Sequence, residues 1–169
     1  FAYSCIHLKK VVIASVQGHA IAGGCGLASI CDLSIASESA KFGYSEVKIG
    51  FIPAIVSVFL LRKIGEGKTK DLLLTGKTIS AQQATDIGLI NSYVPKENLH
   101  QSVIDLAQKL CVTASADSLR STKLMLAEMQ NLTLDEGLDL AVNKNAKARQ
   151  SEDCMKGIDA FLNKKKLYW

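Results

Sequence analysis

A continuous apolar run, Val11 to Val16, leads within two residues into a stretch with glycines at 18, 23, 24 and 26. The run is rich in β-branched residues and carries no alternating polar face. That pattern predicts a fully buried strand, covered on both sides by other elements. Leu27 to Ile30 reads as a short buried helix. Strand, glycine-rich turn and helix in that order place the first half in the α/β class.

Further strands are expected at Leu33 to Ala36, Ala40 to Phe42 and Ile90 to Val94, the last closed by Pro95. Pro53 suits the first turn of a helix running to about Ile64. Gly65 to Lys68 breaks it before a helical segment over Thr69 to Leu74. Ser80-Ala-Gln-Gln83 fits a capping box for a short helix that stops at Gly88. Beyond Pro95 the pattern becomes helical. Leu99, Val103, Leu106 and Leu110 recur at helical spacing, as do Leu119, Thr122, Leu126 and Met129. Thr133-Leu-Asp-Glu136 is a second capping box, and Ser151 is a good N-cap. Neither an internal repeat nor a linker interrupts this order.

Composition narrows the function classes. With 169 residues, 48% apolar and 21% charged, the chain can bury a sizeable core, and disorder is not expected. Its longest apolar stretch, Phe51 to Leu61, contains Pro53 and Ser57 and is too short for a bilayer span. The first ten residues lack the layout of a secretory signal, and they do not begin with Met, as expected of a fragment or processed product. Net charge is +4, partly from Lys164, Lys165 and Lys166. That run fits a solvated helix end or a contact for a phosphate-bearing ligand. Nucleic acid is disfavoured, because aromatics do not interleave with the basic residues. Cys5, Cys25, Cys31, Cys111 and Cys154 form no C-x-x-C pair and lie among apolar neighbours. Reduced, buried thiols in a cytoplasmic protein are expected. His7, His19 and His100 have no zinc-site spacing.

The segment Ala22-Gly23-Gly24-Cys25-Gly26 permits close approach of a backbone or a ligand. At a helix start its N–H groups could hold a phosphate, or an oxygen that becomes negative during a reaction. Tight packing of a turn accounts for it equally well. Gly18 and Gly23 have the spacing of a P-loop, but Gly24 follows and the lysine is missing. Gly24 and Gly26 begin a dinucleotide fingerprint, but Ser29 stands at its third glycine. Glu46 sits among Phe42, Val47, Ile49, Phe51 and Ile52. A carboxyl with such neighbours is poorly hydrated, which suits proton transfer near neutral pH; an exposed loop glutamate beside Lys48 is the plainer reading. Asp32 is expected to accept backbone hydrogen bonds.

Lys10-Val-Val-Ile-Ala-Ser-Val-Gln-Gly18 through Ala22-Gly23-Gly24-Cys-Gly26 to Cys31-Asp32 resembles the signature of the enoyl-CoA hydratase/isomerase (crotonase) superfamily. The rest follows in register. Ala40-Lys-Phe-Gly43-Tyr-Ser-Glu46 resembles that family's second catalytic loop. Leu74 to Ala84, Gly88 to Asn91 and Phe161 to Lys164 resemble its later motifs. Gly50 to Arg62 is similar to a bacterial methylglutaconyl-CoA hydratase-like subgroup.

The resemblance implies an α/β fold, a spiral of ββα units. Residues 1–95 would form the C-terminal portion of that core. Residues 96–169 would form a helical oligomerisation region, in a homotrimer or homohexamer. It implies an acyl-CoA thioester substrate of fatty-acid type, with coenzyme A entering as part of the substrate, no separate cofactor or metal, and neither nucleic acid nor membrane as partner. Gly23 N–H would be one oxyanion donor, with Gly24 and Gly26 beside it on the acyl-CoA-binding face. The second donor, with much of the CoA loop, would come from a segment upstream of residue 1, so the chain would be an incomplete catalytic domain. Phe161 and Lys164 match positions that contact the adenine and phosphate end of CoA, often from a neighbouring subunit. Hydratases of the family commonly use two glutamates. Here Gly26 stands at the first position and Glu46 at the second. This points to a hydratase in which another group such as Tyr44 holds the water, or to an isomerase in which Glu46 works alone. A catalytically weak acyl-CoA-binding or assembly member is the alternative.

Overall fold

The computed structural model describes residues 2–169. In chain order the elements are α1 (Ala2–His7), β1 (Ile13–Val16), β2 (Ala20–Ile21), α2 (Gly23–Ile30), β3 (Leu33–Ser37) and β4 (Lys41–Gly43). A 3-10 turn follows at Glu46–Ile49. Then come α3 (Ala54–Thr75), β5 (Thr78–Ser80), α4 (Ala81–Asp86), β6 (Ser92–Val94), a second 3-10 turn (Lys96–Asn98), α5 (Leu99–Thr113), α6 (Ala116–Met129), α7 (Leu134–Arg149) and α8 (Glu152–Leu162). The α/β character expected from the sequence is present. The described residues fall into two compact units.

The first unit comprises residues 12–105 with the start of α1. It holds two three-stranded sheets, ordered β1-β3-β6 and β2-β4-β5. In the first sheet every pairing is parallel, Ser15 opposite Ile35 and Ala36 opposite Tyr93. The fully buried strand expected from residues 11–16 is not found: β1 ends the sheet order, its residues are only half-buried and Ser15 is exposed. Asp32 Oδ2 accepts from Val12 N–H at 2.7 Å, the backbone role expected of it. In the second sheet β2 runs parallel to β4, and β5 antiparallel. The core gathers Cys25, Ala36, Phe42, Tyr44, Leu60, Leu72 and Leu89, all nearly or fully excluded from solvent.

The expected interruption after Ile64 is one residue wide. Gly65 alone leaves helical geometry (φ 75°, ψ 169°), and α3 resumes beyond it. A left-handed φ carries little penalty only for glycine, so the kink falls there. The capping box at Ser80 is formed, with Gln83 N–H donating to Ser80 Oγ at 3.2 Å and Ser80 N–H to Gln83 Oε1 at 2.9 Å.

The second unit comprises residues 6–11 and 106–169. The capping box at Thr133 and Glu136 opens α7, and the Ser151 cap opens α8. Lys164 to Lys166 lie beyond the end of α8. Lys165 N–H donates to the Ala160 carbonyl at 2.8 Å, and Lys164 has φ 51°. Apolar side chains remain exposed along α7 (Leu134, Leu138, Val142) and α8 (Met155, Ile158, Phe161, Leu162). Cys5, Cys25 and Cys31 are buried, but Cys111 is exposed and Cys154 half-buried, so burial of all five thiols does not hold. Among the described residues no helix is long and apolar enough to cross a membrane.

Candidate active site

α2 begins at Gly23, four residues earlier than the apolar pattern predicts. Its N-cap, Ala22, offers no side-chain hydrogen bond to the first turn. Gly26 N–H is satisfied by the Ala22 carbonyl at 3.0 Å. The N–H groups of a helix's first turn have no intrahelical acceptor, and they carry the positive end of its dipole. Gly23 and Gly24 are exposed, and a Cβ on either would meet nothing within 4 Å. The helix start is therefore open to a ligand oxygen.

Ala22 holds φ 52° and ψ −121°, a region that L residues rarely occupy. Such a conformation costs about 1–3 kcal/mol and persists only when its surroundings fix it. Ala22 N–H donates to the Gly43 carbonyl at 2.8 Å, directly after the β2–β4 pairing of Ile21 with Gly43. The same pairing brings the 43–46 loop beside the start of α2.

Glu46 opens the 3-10 turn. Its residue is half-buried, and its Oε2 is shielded from solvent without a hydrogen-bond partner. An unsatisfied buried carboxylate oxygen is costly and calls for a reason. Its charge is felt by the Cys25 thiol and the Tyr44 hydroxyl, which places the carboxylate near both. Burial above all pushes the Cys25 thiol up, helped by Glu46 and opposed by Tyr44, the Gly43 backbone and Lys63. Burial likewise pushes the Tyr44 hydroxyl far up. Neither group is ionised near neutral pH.

Tyr44 is fully buried, and its hydroxyl lies 2.8 Å from Ser29 Oγ. It is committed inside the core, which removes it as the group that holds a reacting water. Lys63, on α3, donates to the Ser29 carbonyl at 2.9 Å, near the end of α2. Burial lowers the pKa of its ammonium, while Cys31, Asp32 and Cys25 oppose that shift.

Gly26 is buried where α2 faces α3. A Cβ built on it would overlap Val56 Cγ1 and lie 3.5 Å from Val56 Cβ. Val56 fills the space that a side chain at 26 would need. This contact between residues 30 apart has no signature in the sequence. Phe161 and Lys164 belong to the second unit, at the end of α8 and just past it; Phe161 is 83% exposed. Among the described residues no group of three or more His, Cys, Asp or Glu could hold a metal ion.

The fold is shared with solved structures. The fold matches a crystal structure of enoyl-CoA hydratase from Mycobacterium smegmatis with a TM-score of 0.93 at 26% identity, over 99% of this chain and 65% of that one. It matches an enoyl-CoA hydratase from Bacillus anthracis with a TM-score of 0.91 at 32% identity, over 97% and 64%. The family model described as enoyl-CoA hydratase/isomerase matches residues 3–169. The chain belongs to the enoyl-CoA hydratase/isomerase family. It is 43% identical over 156 residues to a Thermus thermophilus protein whose given name places it among enoyl-CoA hydratases, covering 92% of this chain and 61% of that protein. It is 34% identical over 160 residues to a crotonyl-CoA hydratase of Syntrophomonas wolfei, covering 94% and 61%. The chain thus spans about three-fifths of the length of these relatives.

Proposed function

We propose that this protein acts on an acyl-CoA thioester and moves a proton through Glu46 while the first turn of α2 holds the enolate oxygen. The buried, unpartnered Oε2 of Glu46 beside an uncapped helix start carries this reading. The carboxylate removes a proton from C2, and the electron pair moves onto the thioester oxygen. Gly23 N–H donates to that oxygen, where a fixed dipole stabilises developing charge. Exposed Gly24 lines the acyl-CoA face, and Gly26, buried against Val56, backs it.

With a 3-enoyl-CoA, return of the proton to C4 moves the double bond to C2–C3. One acid suffices for that isomerisation, since the proton taken is the proton returned. Gly26 has no side chain to activate water, and Val56 occupies the space above it. The names of the relatives favour a second reading, hydration of a 2-enoyl-CoA. Absorbance of the conjugated thioester separates the two. Isomerisation raises it from a 3-enoyl-CoA, whereas hydration lowers it from crotonyl-CoA. Binding of acyl-CoA with neither change would instead indicate a catalytically weak member of the family.

The exposed run Ile49, Phe51, Ile52 and Ile55 at the glutamate turn supports an aliphatic or branched acyl group. Phe161 and Lys164 are proposed contacts for the adenine and phosphates of CoA, lysine being a common phosphate partner. Exposed apolar side chains at four-residue spacing on α7 support assembly as a homotrimer or homohexamer.

A further inference from the structure

We propose that Tyr44 is a positioning residue that, through Ser29, fixes the first turn of α2 against the loop carrying Glu46; this rests on the enolate reading above. Ser29 Oγ lies 2.7 Å from the Cys25 carbonyl and 2.8 Å from the Tyr44 hydroxyl. A carbonyl can only accept, so the single Ser29 hydroxyl proton goes to Cys25. Tyr44 must then donate to Ser29 Oγ. The hydrogen bonds run in one direction, from Tyr44 to Ser29 to the Cys25 carbonyl.

Each end of this chain sits next to a working part of the site. Cys25 is in the first turn of α2, two residues after Gly23. Tyr44 is two residues before Glu46 and one after Gly43, whose carbonyl accepts from the strained Ala22. The Gly43–Ala22 bond ties the loop to the residue just before α2, and Tyr44–Ser29 ties it to the helix body. Two attachments on either side of the first turn prevent it from tilting relative to the carboxylate. Ser29, Cys25 and Tyr44 are all buried, so water cannot replace a lost link without opening the core. Lys63 holds the Ser29 carbonyl from the other side. Neither Tyr44 nor Ser29 touches substrate in this scheme. They set the angle between the N–H groups and the carboxylate, on which the rate depends steeply.

The test uses the full-length protein with Y44F, S29A, S29T and the Y44F/S29A pair. Each is assayed for kcat and KM with a 3-enoyl-CoA and crotonyl-CoA, alongside amide hydrogen exchange across α2. Y44F, still folded by its melting transition, is expected to lose about 10- to 100-fold in kcat with KM nearly unchanged. S29T keeps the hydroxyl and should retain most activity. The double variant should lose no more than Y44F alone, because Y44F already removes the Ser29 link together with the Tyr44 contact to the Cys25 thiol. Faster exchange of the hydrogen-bonded α2 amides, from Gly26 onward, is expected in Y44F as well. A folded Y44F with wild-type kcat, or losses that add in the double variant, overturns the proposal. If E46Q is fully active, the enolate reading itself fails. In that case unchanged α2 exchange in Y44F overturns the positioning role, and faster exchange supports it.

Discussion

At residue scale, the site depends on two small residues for opposite reasons. Gly26 is required by packing, because Val56 already occupies its Cβ position. G26A is expected to destabilise the protein by about 1–3 kcal/mol through overpacking. Adding V56A should recover part of that loss, so urea unfolding of the four-member cycle should show coupling. Additive effects would remove the contact from the account. Ala22 sits in a backbone region that glycine occupies freely. A22G relieves strain but loosens the unfolded chain, so it should leave stability unchanged or raise it by up to about 1 kcal/mol. A clear loss in thermal melts would mean that the Ala22 methyl matters more than its backbone. Gly26 and Glu46 are visible in the sequence as members of motifs. Neither the Val56 contact nor the Tyr44–Ser29 bond is, because each joins residues 15 or more apart on different elements.

At the scale of elements, the α7 cap offers a pH test. The Thr133 backbone N–H, with a smaller contribution from its hydroxyl, holds the Glu136 carboxyl below the usual carboxylate range. A lowered folded-state value means the ionised form is the stabilising one. Its contribution is fully present above the usual range and lost as pH falls through the lowered value. Fraying of α7, followed by amide exchange, should therefore set in on the acid side. E136Q, which keeps the capping partner but does not titrate, should flatten that dependence. An unchanged acid profile in E136Q would place the effect elsewhere. Capping boxes at Ser80 and Thr133 were legible because their chemistry is local. Strands β1, β3, β4 and β6 were legible in outline from their apolar runs. The two-residue β2 and three-residue β5 were not, since strands that short are defined by their partners. The start of α2 was missed because glycine is a poor helix former, and the first turn forms through tertiary contacts at Gly43 rather than propensity.

At the scale of the whole molecule, apolar side chains at Leu134, Leu138 and Val142 remain exposed along one side of α7. Burial against a second copy would explain their number in a chain of ordinary composition. L138K/V142E is expected to lower the solution mass, measured by light scattering, toward that of a monomer. A wild-type mass already monomeric, or one unmoved by the variant, contradicts that assembly. Activity should fall with mass if Phe161 and Lys164 reach CoA bound to a neighbouring subunit, and stay constant if they do not.

The proton-moving role of Glu46 is tested most directly by deuterium uptake at C2 of a saturated acyl-CoA in heavy water, which requires neither hydration nor isomerisation. Wild-type protein should exchange the C2 hydrogens. E46Q should bind the thioester with similar affinity and exchange about 100- to 10,000-fold more slowly. Equal exchange in the two proteins would show that another group moves the proton, and that the unpartnered carboxylate serves the fold rather than the chemistry.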